Sequence, residues 1–597
     1  MSLTPKAAQW IEQGVAAAME RFDPAYGLLS TRRQVHHHTV DVPDGWYHAP
    51  RESAYLCLGL LECCRISFRA SWVAAATDIL GSLARTQAIA DPDAPWYGLW
   101  HYYVEQPVAE WQYKDYNWAC FIATALLLVL IRHRDALPAD AIEDATLMIR
   151  RAVICVGRRD VRPEYTNIAA LSSFVMIAAG ELLADAALRA SGIDKVRALS
   201  SILSESNAVD EYFSPGYTGV ALVGLHCIEG YTRDPDGVSA ARIGARCLWN
   251  HIADGWHSSG ELCGPHSRAY TVRQGLSWIA ALVHVATDGT YEPDDDEIGE
   301  LPKIACLLQR VDLPHHTVNR FLDPGGDRVV SGAGEAHATP AGPRRTHYTA
   351  YLTSEWCVGS VDLQDSRTDR QNLVAYWRGH DRSGYLIARS TTSHADAAFG
   401  LYLCAAQDRG TVLAAFFPSE FDDPSPMRPR DGTDTALIET GVEVDGGGTA
   451  LTVTVDQAPV SIGECVPLGR QTVCVLAGPA EIALRPIPCG DLSPRLQISE
   501  DGRSMSVRWT WYQGGFRRVR WHELEGDASA FLLSFRDPSS RRDQWLERIE
   551  SMDVTVSRSD DQFAIDCGVA SERDRSLQLL VPRRVLPMQE LYARFLR

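Results

Sequence analysis

No stretch of this 597-residue chain is apolar for long enough to cross a bilayer, which takes roughly 18 residues or more. The longest such run, FIATALLLVLI, is too short and follows polar residues. The opening MSLTPKAAQWIEQGVAAAMERFD reads as an amphipathic helix with charge throughout, without the charged-then-apolar order and small-residue cleavage site of a secretion signal. The expected location is therefore cytoplasmic, with no membrane partner. Basic blocks are also missing: 57 Lys and Arg stand against 76 Asp and Glu, a formal charge of -19 spread along the chain. Without a cationic stripe, nucleic acid is not an expected partner. Cys-x-x-Cys pairs are absent, and the fifteen cysteines are odd in number and scattered. Several, such as Cys57, Cys120 and Cys155, lie in apolar helical contexts, which suits reduced buried thiols and argues against a disulfide framework or a structural zinc site. His36, His37 and His38 are consecutive, and sequence neighbours point different ways in any regular structure, so they do not make a ready metal site. No metal and no cofactor is expected.

What is present is ordinary for a globular protein, 46% apolar and 22% charged residues. A chain this long exceeds a single core and implies several domains. Up to about residue 290, apolar residues recur at helical spacing in segments such as RESAYLCLGLLECCRIS, DYNWACFIATALLLVLIRHR and NIAALSSFVMIAAGELLADAALRAS, which predicts roughly ten to twelve helices. No fixed-period repeat supports a solenoid, so the expected arrangement is a toroid of helical hairpins. After about residue 345 the runs shorten and fill with Val, Ile, Thr, Tyr and Trp between turn residues, as in NLVAYWRG, GTVLAAFF and SMSVRWTWY. These predict a large antiparallel β-sandwich, with room for a small C-terminal subdomain. The domains expected are a helical (α/α) toroid over 1–322, a Gly- and Pro-rich linker over 323–345, and the sandwich over 346–597.

Three segments of the helical half put polar side chains beside helix ends. In RPEYTNIAALSSF, capping explains Thr166 or Asn167, but not both together with Tyr165. In DEYFSPGYTGVAL, Ser214-Pro215-Gly216 breaks the chain between Tyr212 and Tyr217, with Glu211 alongside. In GPHSRAYTVRQG, a turn dipeptide holds His266, with Arg268 and Tyr270 two and four residues on. A tyrosine used as a base near neutrality needs positive charge beside it, which Arg268 could supply, and His266 could share or relay the proton. The aromatic segment WYGLWHYYVEQPVAEWQYKDYNW offers Trp100 and Trp111 as sugar-stacking rings, a role that competes with plain core packing. RRTHYTAYLTSEW adds His347 and Tyr348 as candidates from the β half.

An Asn near a helix start, an E-Y-x-S-P-x-Y segment and a later H-S-R-x-Y segment, on a helical toroid followed by a β-sandwich, resemble the polysaccharide lyase superfamily of chondroitin AC/hyaluronate lyases, alginate lyases and heparinase II/III-like proteins. The resemblance implies an enzyme that cleaves a uronate-containing oligosaccharide or glycoside by β-elimination, without metal. It implies that Asn167 neutralises the substrate carboxylate, that His266 or Tyr270 acts as base or acid, and that Tyr217 is the alternative phenol. Donors that stabilise an enolate-like charge are what make such a proton removable. Tyr212, Glu211, Trp100, Trp111, His347 and Tyr348 would then contact the substrate. Three alternatives stay open, one of them a non-enzymatic carbohydrate-binding or scaffold protein. A glycoside hydrolase on a similar toroid needs paired carboxylates, for which Glu52, Asp115, Asp210 and Glu211 are available without recognisable spacing. A lyase or dehydratase of small-molecule metabolism could reuse the same scaffold. Substrate identity, cleavage mode and oligomeric state are not written in the sequence.

Overall fold

The structure is a computed structural model that describes all residues except 1–2, 33–41, 111–113, 206–208, 270–271, 273–274, 294–295, 368, 394–399, 422–429, 570–575 and 597. It divides into two compact units: a helical one of Met1–Asn207, Pro215–Asn250 and Gly275–Leu322, and a β-rich one of Ala208–Ser214, His251–Gln274 and Asp323–Arg597.

The helical unit is built from α1 (Pro5–Met19), α2 (Pro50–Ile66), α3 (Ala70–Thr86), α4 (Asn117–His133), α5 (Ala139–Arg159), α6 (Thr166–Leu182), α7 (Ala186–Glu205), α8 (Pro215–Tyr231), α9 (Pro235–Gly255) and α10 (Leu276–Ala286). Side-chain distribution sorts these helices into two rings. α4, α6 and α8 carry almost no charge before their last turn and are buried nearly all round, whereas α5 buries only one stripe around Ala145, Met148, Ile149, Ala152 and Val156. A helix that is apolar on every side has to be inner, and one with an apolar stripe has to cover it. Accordingly α2, α4, α6, α8 and α10 pack on one another in succession, and α3, α5 and α7 return as outer partners. This is the expected toroid of helical hairpins. Close approach is bought by missing side chains: a Cβ on Gly224 of α8 would lie 2.7 Å from the backbone of Ala170 on α6. Among the described residues no helix is long and apolar enough to cross a membrane.

The β unit holds two antiparallel sheets. The nine-stranded sheet runs, in spatial order, 465–467, 494–498, 504–520, 432–445, 384–392, 373–377, 356–361, 344–352 and 328–337. The eight-stranded sheet runs 458–459, 452–455, 473–477, 480–489, 528–535, 411–418, 401–408 and 363–365. One core of Trp356, Val358, Trp377, Val442 and Trp509 from the first sheet and Leu403, Phe416, Val475, Phe531 and Leu533 from the second joins them face to face. The outer face of the eight-stranded sheet is covered in turn by a small C-terminal subdomain. Its three strands 552–558, 562–569 and 577–582 and the helices Arg542–Ser551 and Met588–Phe595 bury Trp545, Phe563, Val581 and Tyr592 against Tyr402, Leu413 and Phe417. Burial on both faces explains why strands such as ASAFLLSF lack polar alternation.

Two boundaries differ from the sequence-based expectation. The stretch 323–345, expected as a linker, contains the strand Arg328–His337, paired antiparallel to Arg344–Leu352. Its small residues serve packing: a Cβ on Gly332 would collide with Tyr348, and one on Gly334 with the ring of Tyr212. The helical half also surrenders 208–214 and 251–274 to the β unit.

Candidate active site

Because the outer helices carry the chain back each time, the inner helices all start at the same end of the helical unit. Their N-termini bring the positive ends of five helix dipoles there, which favours negative charge. Several first turns at that end are tied together by side chains. On α2, the Arg51 guanidinium lies 4.3 Å from the ring centroid of Trp118 on α4 and is hydrogen-bonded to Glu52. Burial opposes the charge on Arg51, and Glu52 more than restores it, so its pKa is raised. Asp115, just ahead of α4, accepts from the Tyr102 hydroxyl at 3.1 Å and from the Asn117 N–H at 3.0 Å, and burial raises its pKa. The Asn117 amide donates to the Tyr165 hydroxyl at 3.1 Å, which links α4 to the start of α6. Asn117 Oδ1 and Trp118 Nε1, both buried, have no hydrogen-bond partner among the described residues, an acceptor and a donor that a bound molecule or water would satisfy.

Asn167 occupies the first turn of α6, 5% exposed, with its side-chain oxygen accepting from the Ile168 N–H at 2.7 Å. Tyr217 occupies the first turn of the neighbouring α8 and is partly exposed. Trp100 does not offer the expected sugar platform: it is 1% exposed, and its indole N–H donates to Leu83 O at 2.9 Å. An enclosed ring whose only polar atom is satisfied by backbone is core. Trp111 and Tyr270 lie outside the described residues, as do the three consecutive histidines.

In the β unit, His266 is 2% exposed and both ring nitrogens are engaged: Nδ1 donates to the carbonyl of Phe213, and Nε2 accepts from the Tyr376 hydroxyl at 2.9 Å. Burial lowers its pKa to about 4, so the ring is neutral. Arg268 donates to Ser267 O at 2.8 Å and lies 3.6 Å from Asp369. Burial works against its charge, but Asp369, Glu335 and Glu211 hold its pKa above the usual value. Beside it Arg370 bridges Asp365 and Glu335, and burial of Glu335 is outweighed by Arg370, Arg268 and Arg367, leaving that carboxyl at about 2.

Tyr212 and Tyr348, expected to meet substrate, are buried; their rings stack 4.8 Å apart, and the Tyr212 hydroxyl donates to Gln364. They are packing residues, because no face of either ring is left open. Glu211 is 4% exposed, whereas His347 is exposed and sits 3.3 Å from Asp362. Arg51, Tyr102 and Asn117 were not singled out by sequence reasoning. The available signal was a charged or amide residue in the first turn of an otherwise apolar helix.

Residues 9–294 match a domain of unknown function, DUF8769. No curated protein matches the sequence. Among solved structures, the chain is similar to the chondroitin AC lyase of Streptomyces coelicolor A3 in complex with chondroitin sulphate, at 11% identity over 95% of this chain and 84% of that one, with a TM-score of 0.43. It is similar to the heparan sulfate lyase HepC of Pedobacter heparinus at 8% identity, over 97% of this chain and 94% of that one, with a TM-score of 0.31. Similarity to the unsaturated glucuronyl hydrolase of Streptococcus agalactiae, at 12% identity and a TM-score of 0.31, covers 54% of this chain and 80% of that one.

Proposed function

We propose that this chain is a carbohydrate-active lyase that cleaves a uronate-containing oligosaccharide or glycoside by β-elimination. The observation that carries the reading is the placement of Asn167 and Tyr217 in the first turns of two adjacent parallel inner helices, at the end where the helix dipoles favour an anion. An amide and a phenol, each at a positive helix end, are what removal of a carboxylate α-proton calls for. The Asn167 amide donates to the uronate carboxylate and takes up the charge that develops as C5 loses its proton. Tyr217, as phenolate, accepts that proton. The electron pair forms the C4–C5 double bond as the C4–O bond breaks, and the Tyr217 hydroxyl returns its proton to the leaving glycosidic oxygen. The phenol is regenerated as phenolate, with no water consumed. A phenol ordinarily ionises near pH 10, and positive helix ends favour its charged form.

The hydrolase reading has one observation in its favour, the raised pKa of Asp115, as a general acid requires. Of the other available carboxylates, Glu52 is held by Arg51 and Asp210 by Arg345. Incubation with uronate oligosaccharides separates the two. The lyase releases product with the ultraviolet absorbance of a conjugated unsaturated uronate, and Tyr217→Phe abolishes it. New reducing ends without that absorbance, lost in Asp115→Asn and retained in Tyr217→Phe, would overturn the lyase reading in favour of hydrolysis.

A further inference from the structure

Beyond α1 the helical unit carries a small antiparallel sheet of strands 22–23, 28–32 and 46–48. Ser30 lies directly across from His48 and Arg32 from Trp46, and side chains two apart on a strand share a face, so these four line one side of the sheet. The middle of that side is tied down. His48 Nε2 lies 3.2 Å from Asp23 Oδ2 and Nδ1 lies 2.5 Å from Glu105 Oε1, while the Tyr26 ring stacks on the imidazole at 3.8 Å. Asp23 also accepts from the Ala25 N–H at 2.8 Å, and Arg32 is paired with Asp44 at 2.9 Å. The rim is left open. Trp46 is 61% exposed, and among the described residues its ring meets no other ring and no cation. The side chains of Glu20, Arg21 and Ser30 likewise make no hydrogen bond or ion pair with any described residue.

Trp46, Ser30, Asp23, Arg21 and Glu20 are among the walls of an open cavity of about 390 Å³. An exposed indole alone is ordinary on a protein surface. This one differs in its company, because the cavity sets a bare aromatic ring beside an unengaged acceptor, an unengaged donor and a hydroxyl that can do both. We propose that the cavity is a binding site for a neutral sugar chain, in which one pyranose ring lies on the Trp46 indole while its hydroxyls donate to Glu20, accept from Arg21 and exchange hydrogen bonds with Ser30. A sugar has the matching chemistry: an apolar C–H face to cover an aromatic ring, and a rim of hydroxyls that both donate and accept. Charge selects among sugars. Two carboxylates, Glu20 and Asp23, stand against the single guanidinium of Arg21, so the wall has no surplus positive charge to offset the desolvation of a uronate or a sulfate. The contacts of His48 hold the sheet in place before any ligand arrives, which lowers the ordering cost of binding. The site is separate from the anion-favouring end of the inner helices, and the inference does not depend on the lyase reading.

The test uses the full chain labelled with 5-fluorotryptophan, the Trp46 fluorine line being assigned by its absence in Trp46→Phe, and titrates it with cellotetraose, maltotetraose and tetragalacturonate. At least one of the two neutral tetrasaccharides is expected to move the Trp46 line saturably, and tetragalacturonate to bind at least about 10-fold more weakly. In calorimetric titration with the same neutral sugar, Trp46→Ala is expected to weaken binding at least about 10-fold, the scale of a large apolar side chain covered by ligand. Ser30→Ala is expected to weaken it about 3- to 10-fold, as for one net hydrogen bond. A Trp46 line that moves with neither neutral sugar, or that moves as readily with tetragalacturonate, overturns the proposal. Sedimentation showing copies of the chain associating, with the association lost in Trp46→Ala, makes the face a protein contact and overturns it too. Turnover of a soluble uronate oligosaccharide is expected to be equal in wild type and Trp46→Ala; a parallel loss would place Trp46 in the reaction and overturn the separation of the two sites. Wild-type protein inactive on uronates that still binds a neutral tetrasaccharide through Trp46 overturns the lyase reading and leaves this site standing.

Discussion

Asn167 and Tyr217 are the inner-helix residues to which the proposed reaction assigns a role. A cap at the start of α6 needs only a short acceptor, and α8 begins with Pro215, which needs no donor. Substituting them should therefore separate function from folding. Tyr217→Phe keeps the ring and removes the hydroxyl, and kcat is expected to fall about 10²- to 10⁴-fold with the thermal midpoint nearly unchanged. Asn167→Ala is expected to cost about 10²- to 10³-fold, because the developing carboxylate charge loses its donor. Absorbance of the unsaturated product and a melting curve on the same preparations check both. Trp100 gives the opposite pattern. It is enclosed and bonded to Leu83, so Trp100→Ala is expected to cost about 3 to 5 kcal/mol in chemical denaturation and to leave sugar affinity unchanged in whatever fraction stays folded. A loop rich in aromatics reads alike from sequence whether its rings face sugar or core, since periodicity carries no signal there.

At the scale of elements, legibility followed the range of the forces involved. α4, α6 and α8 could be recognised because a helix without charge on any face admits one environment, and strands such as 528–535 because both their faces are buried. The strand 328–337 reads as linker in the sequence because Gly and Pro ordinarily signal turns; here Gly332 and Gly334 are small because Tyr348 and Tyr212 press on them, and Tyr212 is more than a hundred residues away in sequence. The hydrogen bonds of HSR are invisible locally for the same reason, because its partners, Tyr212 to Ser214, are some fifty residues distant. Gly224 offers a test of how close packing competes with local preference. Alanine is the better helix former by about 1 kcal/mol. Its Cβ, however, would meet the Ala170 backbone at 2.7 Å, and backbone cannot swing aside. Overpacking of this kind costs about 1 to 3 kcal/mol, so Gly224→Ala is expected to lower the thermal midpoint despite its propensity.

For the whole molecule, the division into a helical unit and a β unit makes acid the informative perturbant, because buried titratable groups are unevenly shared between them. In the β unit, burial brings His251, His257, His266 and His337 each to about 4, with Thr353 O opposing at His257, Phe213 O at His266 and Glu335 at His337. A histidine with a lowered folded pKa resists protonation that the unfolded chain accepts. Its stabilising contribution is complete above about pH 6.5 and is lost as pH falls toward 4, up to about 3 kcal/mol for each ring. Among the described residues of the helical unit, burial brings His101 and His226 to about 4 and lowers His284 as well. That unit also holds a buried carboxylate, Glu62, which burial pushes up but His133 and Arg132 bring down to about 2, so that this contribution persists through the same interval and is lost only as pH drops below about 4.5 toward 2. The β unit should therefore weaken first. Calorimetry between pH 7 and pH 4.5 is expected to resolve a transition that moves steeply to lower temperature from one that moves less. Limited proteolysis at pH 5 should cut within 323–597 before it cuts within α2 to α8. First cleavage in the helical unit would mean that the buried imidazoles do not control the acid response.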